Sequence, residues 1–282
     1  KVGNTGFKRR VCAIYRAMHI PRLHFPRKGP VPEPALALAC QRFNEAGGMI
    51  LEDIWPRRYI EDLRASFLGL YGDRLGQEKP HFSRDVGNRR IMISVDVEGA
   101  FNDRRFYANR HAFPLMSRLL GGAMIIGSFN AVTSLPGSRI QHLHADHPEL
   151  FWDRDLDGAV PVYSISMSVP LVDLDAKTGT TRFYPGTHKT PWQEKPPTGF
   201  FDPEVRMGSA ILFDIRVRHR GLGNRSDAPR PILYANYSRP WFHDYVNYDY
   251  DKALRVTPEA LAKMPKKYRG LFAWSLVGEK TL

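Results

Sequence analysis

The 282-residue sequence predicts a mainly β protein with flanking helices. Most of the chain consists of short segments rich in β-branched and aromatic residues, separated by turns that contain Gly, Pro, Asp and Asn. Two helical patterns precede these segments, at about 34–46 and 56–71, with a short strand between them. A parallel α/β fold would instead alternate strand and helix along the whole chain. The predicted strands are residues 91–97, 123–134, 159–172, 180–185, 209–217 and 230–238.

This order of elements is typical of a double-stranded β-helix, the jelly-roll core of cupin-like proteins. With 43% hydrophobic and 25% charged residues, the chain has the composition of a globular protein with a sizeable core. We therefore expect a single domain over residues 34–282, with the jelly-roll core at about 90–241, preceded by a basic N-terminal arm, residues 1–33. The sequence has no glycine-rich phosphate-binding loop.

Much of the net charge of +12 lies in the arm. Residues 1–30 contain eight Lys or Arg and no acidic residue, so the rest of the chain carries only +4. Because these bases alternate with aromatic and aliphatic residues, the arm either lies against the domain or makes weak contact with an anionic membrane surface or nucleic acid. The sequence contains no recognised nucleic-acid-binding module, so we expect no nucleic-acid partner.

The cysteine content predicts a reducing, cytoplasmic setting. Cys12 and Cys40 are too few for a disulfide framework or for a cysteine-type zinc site. No apolar segment approaches the ~20 residues that span a bilayer. Any metal chemistry should therefore rely on His and carboxylate ligands.

The segment QHLHADHPEL holds three histidines around one aspartate. Non-haem Fe(II) oxygenases bind their metal through two imidazoles and one carboxylate, and His144 and Asp146 are close enough in sequence for both to reach one ion. The third ligand has three candidates, His188, His219 and His243. His219 is favoured because the segment SAILFDIRVRH, interpreted as one strand, places it on the apolar face.

Arg230 opens the next predicted strand and shares a face with Ile232, Tyr234 and Asn236. A buried guanidinium needs an anionic partner, and a small dicarboxylate would supply one through a bidentate contact. From these residues alone, surface positions for the histidines and a protein salt bridge for Arg230 remain an open alternative.

The run LVDLDAKTGTTRFYPGTHK is preceded by the H-x-D pair and followed by SAILFDIRVRHRG and RPILYANYSRPW. Together these motifs resemble the phytanoyl-CoA dioxygenase-like (PhyH) family of Fe(II)/2-oxoglutarate-dependent oxygenases. The stretch FNEAGGMILEDIWPRRYIEDLRASF is similar to the opening elements of that family, so the resemblance covers about residues 35–241. It implies a dioxygenase, an oxidoreductase that hydroxylates its substrate with Fe(II), 2-oxoglutarate and O₂ and releases succinate and CO₂.

By position, the resemblance implies that His144, Asp146 and His219 bind the iron and form the catalytic centre. It implies further that Arg230 binds the distal carboxylate of 2-oxoglutarate, and that Asn130 makes a polar contact with this cosubstrate. The intact Asp146 weighs against a halogenase, in which a small residue replaces this carboxylate.

Other positions have supporting roles by the same comparison. His188 lies in the PGTHK turn, which resembles a Pro-Gly-Ser-His turn of the family, so we expect it to stabilise the turn. We expect His142 and His147 to order the ligand loop. Many relatives carry a large aromatic residue where this chain has Ser168, which predicts a small, polar pocket wall and leaves the substrate open.

The residues expected to line the substrate pocket mix aromatic, amide and cationic groups: His142, Phe151, Trp152, Ser168, Arg182, Tyr234, Asn236 and Trp241. This mixture fits a small to medium-sized, partly polar substrate, an anionic one included. Desaturation, cyclisation or epimerisation by the same iron chemistry stays open, as does a non-catalytic binding module that uses the N-terminal arm. The oligomeric state is also open.

Overall fold

The computed structural model describes residues 19–26, 29–76, 83–151, 153–190, 198–248 and 253–280. In the chain, strand β2 at Gly48–Glu52 is preceded by helix α1 at Glu33–Ala46 and followed by helix α2 at Arg57–Tyr71, as predicted. Helix α1 ends at Gly47, whose positive φ of 80° lets its N–H close the last turn on the Phe43 carbonyl. Each helix buries one apolar face in the core: Ala39, Phe43 and Ala46 from α1, and Ile60, Leu63, Phe67 and Tyr71 from α2.

The described residues form ten strands in two sheets. The larger sheet contains, in spatial order, β1 (Arg22–His24), β2, β8 (Ala210–Asp214), β6 (Ser164–Pro170), β10 (Arg230–Ser238), β5 (Ile125–Ser134), β4 (Arg90–Ser94) and β3 (Ser83–Asp85). The smaller sheet pairs β7 (Thr181–Phe183) with β9 (His219–Gly221). The shorter α-helices are α3 (Arg104–Tyr107), α4 (Ala112–Leu119), α5 (Arg154–Ala159) and α6 (Pro258–Lys263).

Each of the six predicted β segments contains a strand, but the strand predicted to reach His219 is interrupted. Strand β8 ends at Asp214, and His219 begins β9. The buried Asp214 carboxylate accepts hydrogen bonds from the backbone and the guanidinium of Arg216, while the Val217 N–H donates to the Asp214 carbonyl at 2.9 Å. A buried carboxylate requires such partners, so the chain turns here. The prediction of one continuous strand is therefore wrong, and His219 belongs to the smaller sheet.

Strand β10 lies between β6 and β5 in the larger sheet and sets the register of the site. Arg230 is opposite Ser134 of β5, and Tyr234 is opposite Asn130 of β5 and Ser168 of β6. Because side chains alternate along a strand, every second residue of β10 faces the inside of the jelly roll. The intervening residues are buried in the hydrophobic core: Leu233, Ala235 and Tyr237.

The predicted N-terminal arm falls largely outside the described residues, which omit 1–18 and 27–28. Within the described part of the chain, every helix is too short or too polar to cross a bilayer.

Candidate active site

The three predicted metal ligands converge at the smaller sheet. One ligand atom from each of His144, Asp146 and His219 lies within 4.8 Å of the other two. His219 Nε2 is 3.3 Å from Asp146 Oδ1, and the imidazole rings of His144 and His219 are 4.4 Å apart between centroids. Two imidazoles and one carboxylate at this spacing can all reach a single metal ion.

Backbone pairing brings these residues together. His144 and His219 form an antiparallel bridge, with N–H to carbonyl distances of 3.1 and 2.8 Å. The Asp146 N–H then donates to the Ile215 carbonyl at 2.9 Å. The loop that carries the H-x-D pair is therefore held by backbone hydrogen bonds to His219, the first residue of β9, and to Ile215 in the turn before it.

Both imidazoles are oriented by backbone carbonyls. His144 Nδ1 lies 3.0 Å from the His142 carbonyl, and His219 Nδ1 lies 2.9 Å from the Val217 carbonyl. Because a carbonyl only accepts, Nδ1 is the donor in each contact and Nε2 is the ring atom left to bind a metal, which on His219 requires release of the proton shared with Asp146. This donor set fits Fe(II), and the backbone supplies the second contact that metal-binding histidines commonly make.

Charge within the trio favours a cation. Burial alone would raise the pKa of Asp146, but the positive charge and hydrogen bond of His219 outweigh it and lower that pKa. Burial likewise opposes protonation of His219, yet the Asp146 carboxylate raises its pKa overall. Burial and the neighbouring His219 lower the pKa of His144 to about 4, so His144 is neutral at pH 7.

These ligands open onto a cavity of about 490 Å³ between the two sheets. The cavity combines hydrogen-bonding side chains with a few aliphatic ones, and it includes several predicted site residues. They are Asn130, His142, His144, Asp146, His219, Arg230, Tyr234 and Asn236.

Arg230 is 4% exposed and lines this cavity. Its Nη2 donates to Ser134 Oγ at 2.6 Å, and its Nη1 contacts the carbonyls of Thr178 and Leu222, both at 3.2 Å. Its Nε has no hydrogen-bond partner within the described chain. Burial lowers the pKa of Arg230 to about 10, and Arg90 adds to the shift while Tyr234 opposes it. An unpartnered, buried N–H on a cation fits the carboxylate of a bound diacid.

Arg90 is a second buried guanidinium in the cavity, which the sequence analysis missed. It is 1% exposed and donates to Ser134 Oγ at 3.0 Å and to the Leu222 carbonyl at 2.7 Å. Neither Arg90 nor Arg230 forms an ion pair with any carboxylate in the described part of the chain. The signal was present, because Arg90 opens an apolar strand just as Arg230 does.

A segment after β10, residues 244–248, covers one side of the site and was also missed. Asn247 Nδ2 donates to the Asp146 carbonyl at 2.7 Å and to Asp244 Oδ2 at 2.8 Å. Tyr248 accepts a hydrogen bond on its hydroxyl from Asn130 Nδ2 at 2.7 Å. Asn130 therefore faces the cavity as predicted but already has a partner there. We call residues 244–248 the capping segment.

The structure does not bring four of the predicted substrate residues to the cavity surface. Arg182 points away from it, in a bidentate contact with Asp202 at 2.7 and 2.6 Å, and the preceding residue Thr181 lines the cavity instead. Phe151 is 42% exposed, and Trp241 is 60% exposed beside Tyr163.

Ser168 is buried opposite Tyr234, and Ser166, two residues earlier, lines the cavity. Trp152 lies outside the described residues.

The remaining histidines have structural contacts. His188 Nε2 donates to the Asn44 carbonyl at 3.1 Å and so ties the turn at Thr187–Lys189 to the end of α1. His147 packs between Phe242 and Tyr245. Neither belongs to the metal-ligand trio of the described residues.

Comparison with known proteins identifies the family. The family described as Phytanoyl-CoA dioxygenase (PhyH) matches residues 56–232, which is more than half of the chain. The chain belongs to the phytanoyl-CoA dioxygenase family. The resemblance predicted from the motifs is thus confirmed, and the family is one of dioxygenases, as its description states.

One curated relative that is similar in sequence to this family member is Dioxygenase FUM3 of Gibberella moniliformis (strain M3125 / FGSC 7600). It is 28% identical over 198 residues, which are 68% of this chain and 62% of FUM3. The chain therefore spans less than two thirds of that relative.

Solved structures resemble this phytanoyl-CoA dioxygenase family member in fold. One is the non-heme alpha ketoglutarate dependent epimerase SnoN from nogalamycin biosynthesis, at 17% identity and a TM-score of 0.59 over 74% of this chain and 82% of SnoN. Another is HygX from Streptomyces hygroscopicus with nickel, 2-oxoglutarate and hygromycin B bound, at 17% identity and a TM-score of 0.56 over 76% of this chain and 90% of HygX. The predicted jelly-roll fold class is confirmed.

Proposed function

We propose that this protein is an Fe(II)/2-oxoglutarate-dependent dioxygenase that hydroxylates a small to medium-sized organic substrate and releases succinate and CO₂. The observation that carries the proposal is that ligand atoms of His144, Asp146 and His219 lie within 4.8 Å of one another. The same cavity is lined by Arg230, which is buried and has no carboxylate partner among the described residues. Family membership supports it.

In this proposal the two imidazole Nε2 atoms and the Asp146 carboxylate hold the iron. When bound, iron with 2-oxoglutarate and O₂ supplies the oxidising power of the reaction. The backbone carbonyls of His142 and Val217 keep the imidazoles in the metal-binding tautomer. Arg230 directs its unpartnered Nε–H to the distal carboxylate of the cosubstrate, and its cationic form suits that anion at pH 7.

Epimerisation is a second candidate, because SnoN, which has a similar fold, is an epimerase. Both outcomes use the same ligands, and they differ in the fate of the substrate carbon. Incorporation of an oxygen atom from labelled O₂ into the product distinguishes hydroxylation from epimerisation.

The proposal is tested by anaerobic titration of metal-free protein with Fe(II) and then with 2-oxoglutarate. A weak visible charge-transfer band should appear in the wild-type protein, and it should be lost in His219→Ala and require much more 2-oxoglutarate in Arg230→Met. The matched control is Arg182→Met, because Arg182 also lies in a strand but points away from the cavity. Absence of the band in folded wild-type protein, or its persistence in His219→Ala, would refute the site.

A further inference from the structure

Three polar residues line up across the larger sheet at the end of β10 opposite to Arg230. Asn236 of β10 is in register with Ser128 of β5 on one side and with Ser166 of β6 on the other. Asn236 and Ser166 line the large cavity. Ser128 lines only a small adjoining cavity, shared with Asn236 beside the metal ligand Asp146, whose volume of about 10 Å³ gives room for one hydroxyl group or water. We call these three residues the polar row.

Both serines of the polar row are buried, Asn236 is partly buried, and one side-chain oxygen of each residue lacks a partner. Ser128 and Ser166 are each 1% exposed, and the Ser128 Oγ, Ser166 Oγ and Asn236 Oδ1 atoms make no hydrogen bond within the described chain. Ser238 of β10 and Ser164 of β6 are the next pair on the same face, and they do have partners, because their Oγ atoms are hydrogen-bonded to each other at 2.8 Å. Unpaired buried polar atoms destabilise a fold, and small apolar residues would avoid that penalty. Three in one row beside a metal site therefore indicate a ligand that completes them.

The charges around the polar row limit the kind of ligand. Among the described residues that line the large cavity, the Lys and Arg side chains are Arg90 and Arg230, both at the far end of the β10 face. The Asp244 carboxylate lies on the side of the polar row, together with Asp146, whose negative charge a bound metal ion would balance. This end of the cavity thus offers neutral hydrogen-bonding groups and negative charge. It suits neutral or cationic polar groups and disfavours an anionic headgroup.

We propose that the polar row binds hydroxyl or amino groups of the substrate, so that the substrate is a compact polyhydroxylated molecule, such as a cyclitol or glycoside, with or without amines. The proposal deepens and rests on the proposed function, because it assigns the substrate side of the same site. It differs from the expectation that includes an anionic substrate. A long-chain acyl thioester would leave the three polar atoms unpaired and gains nothing from them.

Binding is tested with protein that holds Zn(II) in place of iron together with 2-oxoglutarate, by saturation-transfer NMR. One probe set consists of myo-inositol, methyl α-D-glucopyranoside and glucosamine, and the other is octanoyl-N-acetylcysteamine. The hydroxylated probes should bind, and Ser128→Ala or Ser166→Ala should each weaken binding by about threefold to tenfold, the value of one hydrogen bond.

Thr133→Val is the matched control. Thr133 is on β5 as well, is fully buried and has an unpartnered Oγ1, but it lies on the opposite face of the sheet and does not line the cavity. Its removal should leave probe binding unchanged. Because all three variants remove an unpaired hydroxyl, each should melt at the wild-type temperature or above it.

The proposal is overturned if the acyl probe binds in preference, if neither probe set binds to protein that holds 2-oxoglutarate, or if the serine variants lose stability. The last result would mean that the hydroxyls support the fold. Loss of the charge-transfer band in the Fe(II) titration, with binding of the hydroxylated probes that still depends on the polar row, would instead overturn the proposed function alone.

Discussion

Arg90 and Arg230 lie on opposite sides of Ser134, and both guanidinium groups donate to its one hydroxyl oxygen, at 3.0 and 2.6 Å. They also share the Leu222 carbonyl. Two buried positive charges thus meet without a carboxylate from the described chain, and burial lowers the pKa of each. An anion bound between them would relieve both the repulsion and the loss of hydration.

Metal-free protein should therefore be stabilised by dicarboxylates. At a 2-oxoglutarate concentration near 100 times its Kd, the free energy of unfolding should rise by about 2.7 kcal/mol, which is several degrees in Tm for a protein of this size. Differential scanning fluorimetry with 2-oxoglutarate, succinate and butyrate provides the measurement. Arg230→Met should lose the shift, and an equal shift with butyrate would contradict recognition of a second carboxylate.

The capping segment should tighten metal binding through Asn247. Its amide donates to the Asp146 carbonyl, so it restrains the loop that carries two ligands. Asn247→Ala should weaken metal affinity by about tenfold, as expected when a contact that orients a ligand is removed. Competition with a chromophoric chelator measures this. Asn102→Ala is the control, because Asn102 also donates to a backbone carbonyl, that of Ala260, far from the ligands in sequence. Equal loss in both variants would contradict the assignment.

Gly47 should be intolerant of a side chain. A Cβ at this position would lie 2.4 Å from both His188 Nδ1 and Val217 Cγ2, and the Val217 carbonyl orients the His219 ring. Gly47→Ala should lower the free energy of unfolding by about 2–4 kcal/mol, from backbone strain and overpacking together. Gly29→Ala separates the two causes, because Gly29 has the same φ of 80° but nothing within 4 Å. Urea unfolding of both variants should show a clearly larger loss for Gly47→Ala.

Acid should destabilise the protein partly through His188. Burial is the main cause that lowers the pKa of this imidazole from its ordinary value of 6.5, so it stays neutral in the folded state where the unfolded chain becomes protonated. The unfolded state then binds more protons below pH 6.5, and stability falls as the pH drops from there to the folded pKa, by at most about 1.4 kcal/mol per pH unit. His188→Gln should reduce this slope between pH 6.5 and 5 in urea unfolding. An unchanged slope would show that His188 titrates normally.

Local periodicity made much of this site predictable. Strand β10 coincides with its predicted segment, and strict alternation placed Arg230, Ile232, Tyr234 and Asn236 on one face, all of which line the cavity. Alternation gave no guide at Arg182, because β7 has only three residues and a shift of one position exchanges its two faces. A short strand carries too few alternating positions to fix its own orientation.

The contributions that arise from distant parts of the chain could not be predicted. Asn247 contacts Asp146 across 101 positions, and no local pattern indicates that the capping segment folds back over the ligand loop. The turn at Asp214 depends on a carboxylate and a guanidinium that are buried together, whereas their sequence resembles an ordinary strand. Such features depend on tertiary packing, which periodicity does not encode.

The metal-ligand trio lies at the smaller sheet, to which His219 belongs, whereas the polar row belongs to the larger sheet. His144 and Asp146 are held by backbone hydrogen bonds to His219 and Ile215, and Ser128, Ser166 and Asn236 take no part in that pairing. If the polar row binds the substrate as proposed, single substitutions in it should alter which molecule is accepted and leave the metal ligands in place. In evolutionary terms, such an arrangement would let substrate specificity change by point mutation in the larger sheet while the metal ligands stay the same.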